Sequence, residues 1–167
     1  MDIRLEKWDA SYKKALIDIC NTVDRQYLSN RMPYPYSEDD ALFWLNYVTK
    51  KDGKNGIFRA VIVDGQCVGN ISVEKKTDVY CKNAEIGYTL KIDSSSRGIM
   101  TEAVKQICKI AFEQLDIVRI TAIVYNPNIA SKRVLEKNGF VLEGVLKNGI
   151  YKDGNIYDEC IFGKLKS

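Results

Sequence analysis

The stretch "AEIGYTLKIDSSSRGIMTEAVKQICKIAFEQLDIVRITAIVY" occupies residues 84–125. Its first seven residues alternate. Glu85, Gly87 and Thr89 share one face, and Ile86, Tyr88 and Leu90 share the other, which is the period of a strand. After Gly98 the period changes. Met100, Val104, Ile107, Ala111 and Leu115 form an apolar stripe, with Glu102, Lys105, Lys109 and Glu113 away from it, as in a helix packed on one side. Residues 118–125 are nearly all apolar or β-branched and read as a buried strand. Strand, crossover helix and buried strand together predict a parallel βαβ pair.

The rest of the chain is arranged around that pair. Residues 3–8 alternate like a strand. Asp9 is placed to cap a helix carrying Ala15, Leu16, Ile19, Cys20 and Val23. The prolines of "RMPYPY" (31–36) exclude helix there. Ser37 and Asp40 resemble a capping box ahead of a second helix with Ala41, Leu42, Trp44, Leu45 and Val48. Two β-rich runs within 57–74 meet at Asp64-Gly65, a two-residue hairpin signal. Beyond residue 125, Asn126-Pro127-Asn128 ends the strand and opens a short helix, with Gly139 placed as its left-handed cap. The tail reads as a long hairpin, 140–151 and 156–165, turning at "KDGN". The order β, α, α, β-hairpin, β, α, β, α, β-hairpin predicts an α+β fold. One parallel step sits inside a mixed, mostly antiparallel sheet with flanking helices. No repeat or low-complexity linker divides residues 1–167, so one domain is expected.

Bulk properties exclude several functions. The 167 residues are 46% apolar and 28% charged, with a net charge of +3. The charge is small and its lysines and arginines are scattered, so no nucleic-acid partner is expected. No apolar run reaches the ~20 residues that span a bilayer, and "MDIRLEKWD" lacks the apolar core of a signal peptide. A cytoplasmic protein with no membrane partner is expected. The five cysteines are odd in number, scattered and outside CxxC pairs, which argues against a disulfide framework or a structural zinc. There is no histidine. That removes Ser-His and Cys-His nucleophile pairs and HExxH metal sites, and no metal is expected. Acid–base chemistry falls to carboxylates, tyrosines, serines, lysines or water.

Three serines, Arg97 and Gly98 stand directly before the helix that starts near Ile99 and Met100. A loop at a helix N-terminus exposes unpaired N–H groups, which attract phosphate together with the helix dipole. Gly98 brings no Cβ against a phosphate. Ser94, Ser95 and Ser96 add hydroxyls and Arg97 a charge. Residues 95–100 are thus a candidate phosphate cradle; a solvated, serine-capped loop is the other reading. The stretch is neither a Walker loop nor a dinucleotide fingerprint, because the required glycines are missing.

"AEIGYTL", "GIMTEAV" and "NPNIASKRVLEKNGFVLEGVL", at these separations, resemble the GCN5-related N-acetyltransferase (GNAT) superfamily. With "MPYPYSEDDALFWL" (32–45), the chain looks most like the RimJ/RimL branch, the ribosomal-protein N-terminal acetyltransferases, over about residues 1–165. The resemblance implies a GNAT fold in which strands 84–90 and 118–125 are parallel and splay apart around acetyl-CoA. It implies pyrophosphate on the loop Q/R-x-x-G-x-G/A, which reads here Asp93-Ser94-Ser95-Ser96-Arg97-Gly98. Only the last glycine matches. It further implies that backbone groups of residues 86–90, including Tyr88, Thr89 and Leu90, meet the pantetheine amides, and that Asn126 bonds the pantetheine arm. Asn126 also reads simply as a strand-ending Asn-Pro turn. Ser131 matches a serine near the thioester sulfur. Many members carry an acidic tyrosine four residues before the helix-ending glycine; here that position is Leu135. Either Ser131 takes its role or the thiolate leaves unassisted. Glu85 matches a carboxylate acting as general base through water, with Glu143, Asp158 and Glu159 as alternatives. Members are often monomers or homodimers.

The choice of acceptor turns on pKa values. At pH 7 roughly 14% of a free α-amine is neutral, against ~0.04% of a lysine side chain. That ratio of ~300 is ~3.4 kcal/mol which a lysine acetylase must supply. One candidate base favours an α-amine or a small amine of lowered pKa, and the resemblance implies a protein N-terminal α-amine. The alternatives are a small-molecule acetylase, for a polyamine, amino sugar or antibiotic, whose pocket uses Tyr34, Tyr36, Tyr151 and Tyr157, and a CoA-binding module without catalysis.

Overall fold

The computed structural model describes residues 1–167, with the element order expected from the sequence. These are β1 (Ile3–Lys7), α1 (Lys13–Thr22), α2 (Glu38–Lys51), β2 (Gly56–Val63), β3 (Gln66–Lys75), β4 (Asn83–Leu90), α3 (Ile99–Gln114), β5 (Arg119–Tyr125), α4 (Ile129–Lys137), β6 (Val141–Lys152) and β7 (Asn155–Leu165). Short 3-10 turns cover Ala10–Tyr12, Asp78–Tyr80 and Ile92–Ser94. One difference falls at the first helix. Asp9 does cap, but its carboxylate accepts from Ser11 N and closes the 3-10 turn, so α1 starts only at Lys13.

Local signals act as their chemistry requires. Ser37 and Asp40 form both halves of a capping box on α2. The turns at Asp64-Gly65 and Asp153-Gly154 have positive φ at both residues, as the twist of a two-residue hairpin demands. Gly139 takes φ 80 after α4, and Phe140 N donates back to Leu135 O, which stops the helix.

The seven strands make one sheet in the order β1-β2-β3-β4-β5-β7-β6. All neighbours are antiparallel except β4 and β5. That parallel pair is joined only at Asn83–Glu85 against Arg119–Thr121. Beyond it β4 continues to Leu90 beside β3 alone, and β5 continues to Tyr125 beside β7 alone. The sheet therefore opens between β4 and β5 at their C-terminal ends. One face carries a core of 24 buried residues that includes Ile86, Val104, Ile107, Ile120 and Leu135 under α3 and α4. The other carries 11, including Leu16, Ile19, Ala41 and Leu45 of α1 and α2. Leu42, read from the sequence as part of the buried stripe of α2, faces outward. Cys20, Cys108 and Cys160 are buried and all five thiols are free. No helix is long and apolar enough to cross a membrane.

Candidate functional site

The opening of the sheet becomes a cleft of about 1130 Å³. Its walls are β4 and β5 at the splay, the start of α4, the segment between α1 and α2, and the β6–β7 hairpin. Alternation along β4 decides what faces where. Ile86 lies in the α3–α4 core, with Tyr88 and Leu90 packed against it. Glu85, Gly87 and Thr89 therefore point to the α1–α2 side.

Backbone directions obey the same alternation. Lys91 N donates to Val68 O of β3, whereas Lys82 O accepts from Val118 N on the β5 side. The N–H and C=O groups of Ile86, Tyr88 and Leu90 thus point toward β5; the last pair, Glu85 with Thr121, takes the Ile86 N–H, and beyond it the Ile86 carbonyl and both groups of Tyr88 and Leu90 face the gap. The strand offers a free edge there, as an added strand or an extended amide chain requires.

On the α3–α4 face, the Tyr88 hydroxyl lies 2.6 Å from Ser131 Oγ. Burial pushes the Tyr88 phenol up to about 12, partly offset by that hydrogen bond. Asn128 caps α4 by accepting from Ser131 N at 3.2 Å, which fixes the serine on the first turn. Leu135, one turn further along α4, is fully buried, so no hydroxyl comes from that position. Sequence reasoning misses the Tyr88–Ser131 contact because it joins residues 43 apart. The parity of "AEIGYTL" is the available signal, since it puts Tyr88 on the helix-covered face.

On the opposite face, Glu85 stands directly across from Glu74 of β3. The Tyr47 hydroxyl of α2 donates to Glu74 at 2.9 Å. Burial of that phenol and its carboxylate partner raise the Tyr47 pKa. Glu85 is exposed, with only Lys76 Nζ nearby at 3.9 Å. Both carboxylates line the cleft.

The segment 92–98 leads into α3. Its turn Ile92–Ser94 is followed by Ser96 at φ 61 and Gly98 at φ 74, both left-handed. No side chain caps α3, and the N–H groups of residues 96–101 have no acceptor in the protein. A Cβ built on Gly98 meets nothing within 4 Å, so space above this row of donors is open. Successive free N–H groups beside a helix N-terminus are the donor set an anion such as pyrophosphate takes. Ser95 lines the cleft while its hydroxyl donates to Ile92 O. Ser94 is buried, and Arg97 reaches only the Met1 sulfur. The side chains of Ile99 and Met100 are core residues, which leaves only their backbone N–H groups unpaired at the start of α3.

Some expected residues stand elsewhere. Asn126 is outside the cleft lining, and its side-chain oxygen accepts from Lys132 Nζ at 2.7 Å and from Cys160 Sγ at 3.4 Å. Tyr34 also lies outside the lining, 69% exposed, with the Arg25 guanidinium 4.8 Å from its ring centre. Tyr36 and Tyr151 do line the cleft. Burial among apolar neighbours raises the Tyr36 pKa, whereas Tyr151 is exposed. Tyr157 joins Tyr27 and Tyr125 in an aromatic cluster. Glu143 pairs with Arg119 and Asp158 with Lys147, which leaves Glu159 as the one of those three that lines the cleft.

The architecture has close counterparts. The chain overlays on RimL, described as a ribosomal L7/L12 alpha-N-protein acetyltransferase in complex with coenzyme A. The TM-score is 0.84 over 98% of this chain and 93% of that one, at 21% identity. In sequence, the chain is 34% identical over 112 residues to "Putative ribosomal N-acetyltransferase YdaF" of Bacillus subtilis. That match covers 67% of this chain, which spans only 61% of the length of YdaF. A second B. subtilis relative, the prophage-derived N-acetyltransferase YokL, is 30% identical over 151 residues, covering 88% of this chain and 82% of YokL. Residues 2–141 match the acetyltransferase (GNAT) domain. With a sheet that opens between its only parallel strands and a family match from β1 into β6, the chain belongs to the GNAT family of acetyltransferases.

Proposed function

We propose that this chain transfers the acetyl group of acetyl-CoA to a primary amine, and that the amine is the N-terminal α-amine of a protein. The observation that carries this reading is the cleft through the splay, with a carboxylate, Glu85, on one face and a hydroxyl pair, Tyr88–Ser131, on the other. A thioester lying in the gap meets the acceptor on one side and releases its thiolate on the other. The loop 95–100 holds the pyrophosphate on the free N–H groups that run from Ser96 into the first turn of α3, and the open edge of Ile86, Tyr88 and Leu90 receives the pantetheine amides. RimL, whose fold this chain shares, is itself described with coenzyme A bound. The ribosomal naming of YdaF supports a protein N-terminus as acceptor.

The reaction is direct attack. The amine nitrogen forms a bond to the thioester carbonyl, the C–S bond breaks, and Glu85 takes the amine proton through water. No covalent acetyl-enzyme forms. The hydroxyl pair acts by hydrogen bonding. A thiol leaves with a pKa of about 8.5, far below the value of about 12 at Tyr88, so a proton is held on the phenol and not surrendered. Tyr88 donates to Ser131, and Ser131 donates to the developing thiolate. Electrostatic stabilisation of this kind is worth more in a cleft than in water. The thiolate then takes its proton from solvent.

The test is a CoA-release assay with free N-terminal peptides, the same peptides amino-blocked but carrying lysine, polyamines and aminoglycosides. Transfer to free N-termini is expected. Transfer only to a polyamine or aminoglycoside would replace this reading with small-molecule acetylation. Tight acetyl-CoA binding with no transfer to any acceptor would leave a binding module.

A further inference from the structure

Lys152 ends β6 beside the Asp153-Gly154 turn and is only 7% exposed. Its ammonium donates to Asn30 Oδ1 at 3.0 Å. That is its one hydrogen bond, and no carboxylate lies within ion-pair distance of it. An ammonium has three donors. A buried cation held by one neutral amide is costly unless an anion joins it. Lys152 and Asn30 both line the cleft, and so does Arg31, whose guanidinium has no carboxylate partner. The segment that carries Arg31 is held in place. Arg25 donates to the carbonyls of Cys20, Met32 and Pro33 at 2.8 to 3.0 Å, and Tyr125 donates to Leu28 O at 2.8 Å. Two chain segments far apart in sequence, Lys152 and Asn30 being separated by 122 positions, thus bring both cations to the cleft, on elements that do not bear the free N–H row of α3. Lys152 also lies beyond residues 2–141, the part matched by the family.

We propose that Lys152 and Arg31 form an anion subsite in the acceptor half of the cleft, and that the preferred acceptor is a peptide N-terminus with a carboxylate side chain among its first residues. This rests on the acetyltransferase reading and extends it from the amine to the neighbouring residues of the acceptor. Glu85 serves the amine, and the cation pair takes the acidic side chain. Asn30 takes one of the three donors of the ammonium and leaves the other two for the ligand. Neither cation has a carboxylate partner within the protein, so the peptide's own charge completes the site.

The experiment compares short peptides that differ only in Glu or Gln at the second and third positions, with wild type, Lys152→Met and Arg31→Gln. The ratio of kcat/KM for the Glu to the Gln peptide is read. A ratio of about tenfold or more is expected for wild type, on the scale of one charge-assisted hydrogen bond, and it should collapse towards one in either variant. Arg31→Gln changes an exposed residue and keeps the test open if Lys152→Met does not fold. A wild-type ratio near one, or a ratio unchanged in both variants, overturns the proposal. So does a loss of acetyl-CoA affinity in the variants, which would assign the cations to cofactor phosphate. Amino-blocked acetylated peptides separate this proposal from the reading beneath it. Their binding, measured by tryptophan fluorescence with Trp44 in the cleft wall and Trp8 packed against it, needs no turnover. Tighter binding of the blocked Glu peptide supports the subsite even if no acceptor is acetylated, and equal binding of the two refutes it.

Discussion

Glu85 and Ser131 lie on opposite sides of one sheet, and in the proposed reaction their substitutions should differ in kind. Glu85→Gln keeps the size and reach of the side chain but cannot take a proton. It is expected to lower kcat about 10²-fold at pH 7, the low end for a general base, with partial recovery at higher pH as more amine is neutral. A pH–rate profile indistinguishable from wild type would move the role to Glu159 or Glu74, which also line the cleft. Ser131→Ala should cost about tenfold, and less with an acetyl thioester of a more acidic thiol. Tyr88→Phe removes the phenol hydrogen-bonded to Ser131 and, if Tyr88 orients that serine as proposed, should cost a similar factor. The double variant should be no worse than either single one, because one chain of hydrogen bonds is broken in each case. Additive losses, measured by CoA release, would show two independent roles. The face that Glu85 takes is legible in the sequence because strand alternation fixes it. The partner of Ser131 and the pair Lys152–Asn30 are not, since each joins segments that only the folded chain brings together.

At the scale of elements, the segment 92–98 is the departure of most consequence. Gly98 has a left-handed φ and open space beyond it. Gly98→Asp adds backbone strain and a negative charge beside the free N–H row, and should abolish acetyl-CoA binding in calorimetry. Gly98→Ala carries the strain without the charge, so it should retain measurable binding. If Gly98→Asp binds like wild type, phosphate sits elsewhere. Ser96 also has a left-handed φ, where the family pattern has glycine. Ser96→Gly relieves that conformation, so affinity should be equal or tighter. Turn chemistry makes most elements readable: Asp64-Gly65, Asp153-Gly154, Gly139 and the box of Ser37 with Asp40 each act as their residue types dictate. The start of α1 is less readable, because Asp9 caps a 3-10 turn as readily as an α-helix and the sequence of either looks alike.

The whole molecule should be more sensitive to base than to neutral pH. Burial raises the Cys108 thiol from 9.0 to about 11 and the Tyr88 phenol from 10.0 to about 12, and Cys67 moves the same way to about 11. The fold favours the protonated forms, so above about pH 9 the unfolded chain holds fewer of these protons than the folded one. Stability from these groups is complete below about pH 9 and is lost as pH rises through about 11 to 12. The urea midpoint should be nearly level from about pH 6 to 8, where no histidine titrates, and should fall steadily above about pH 9. Cys108→Ala should give a shallower fall, even though its small cavity lowers stability throughout; an unchanged slope would mean that thiol is not involved. The splay has a different kind of consequence. The two half-sheets, β1 to β4 and β5 with β7 and β6, are stitched together by three residue positions on each side, so the amides of Tyr88 and Leu90, past the last pair, stand as unlatched hooks. In deuterium they should exchange fast in the free protein and slow sharply once coenzyme A is added, as though the ligand had knitted itself in as the missing strand.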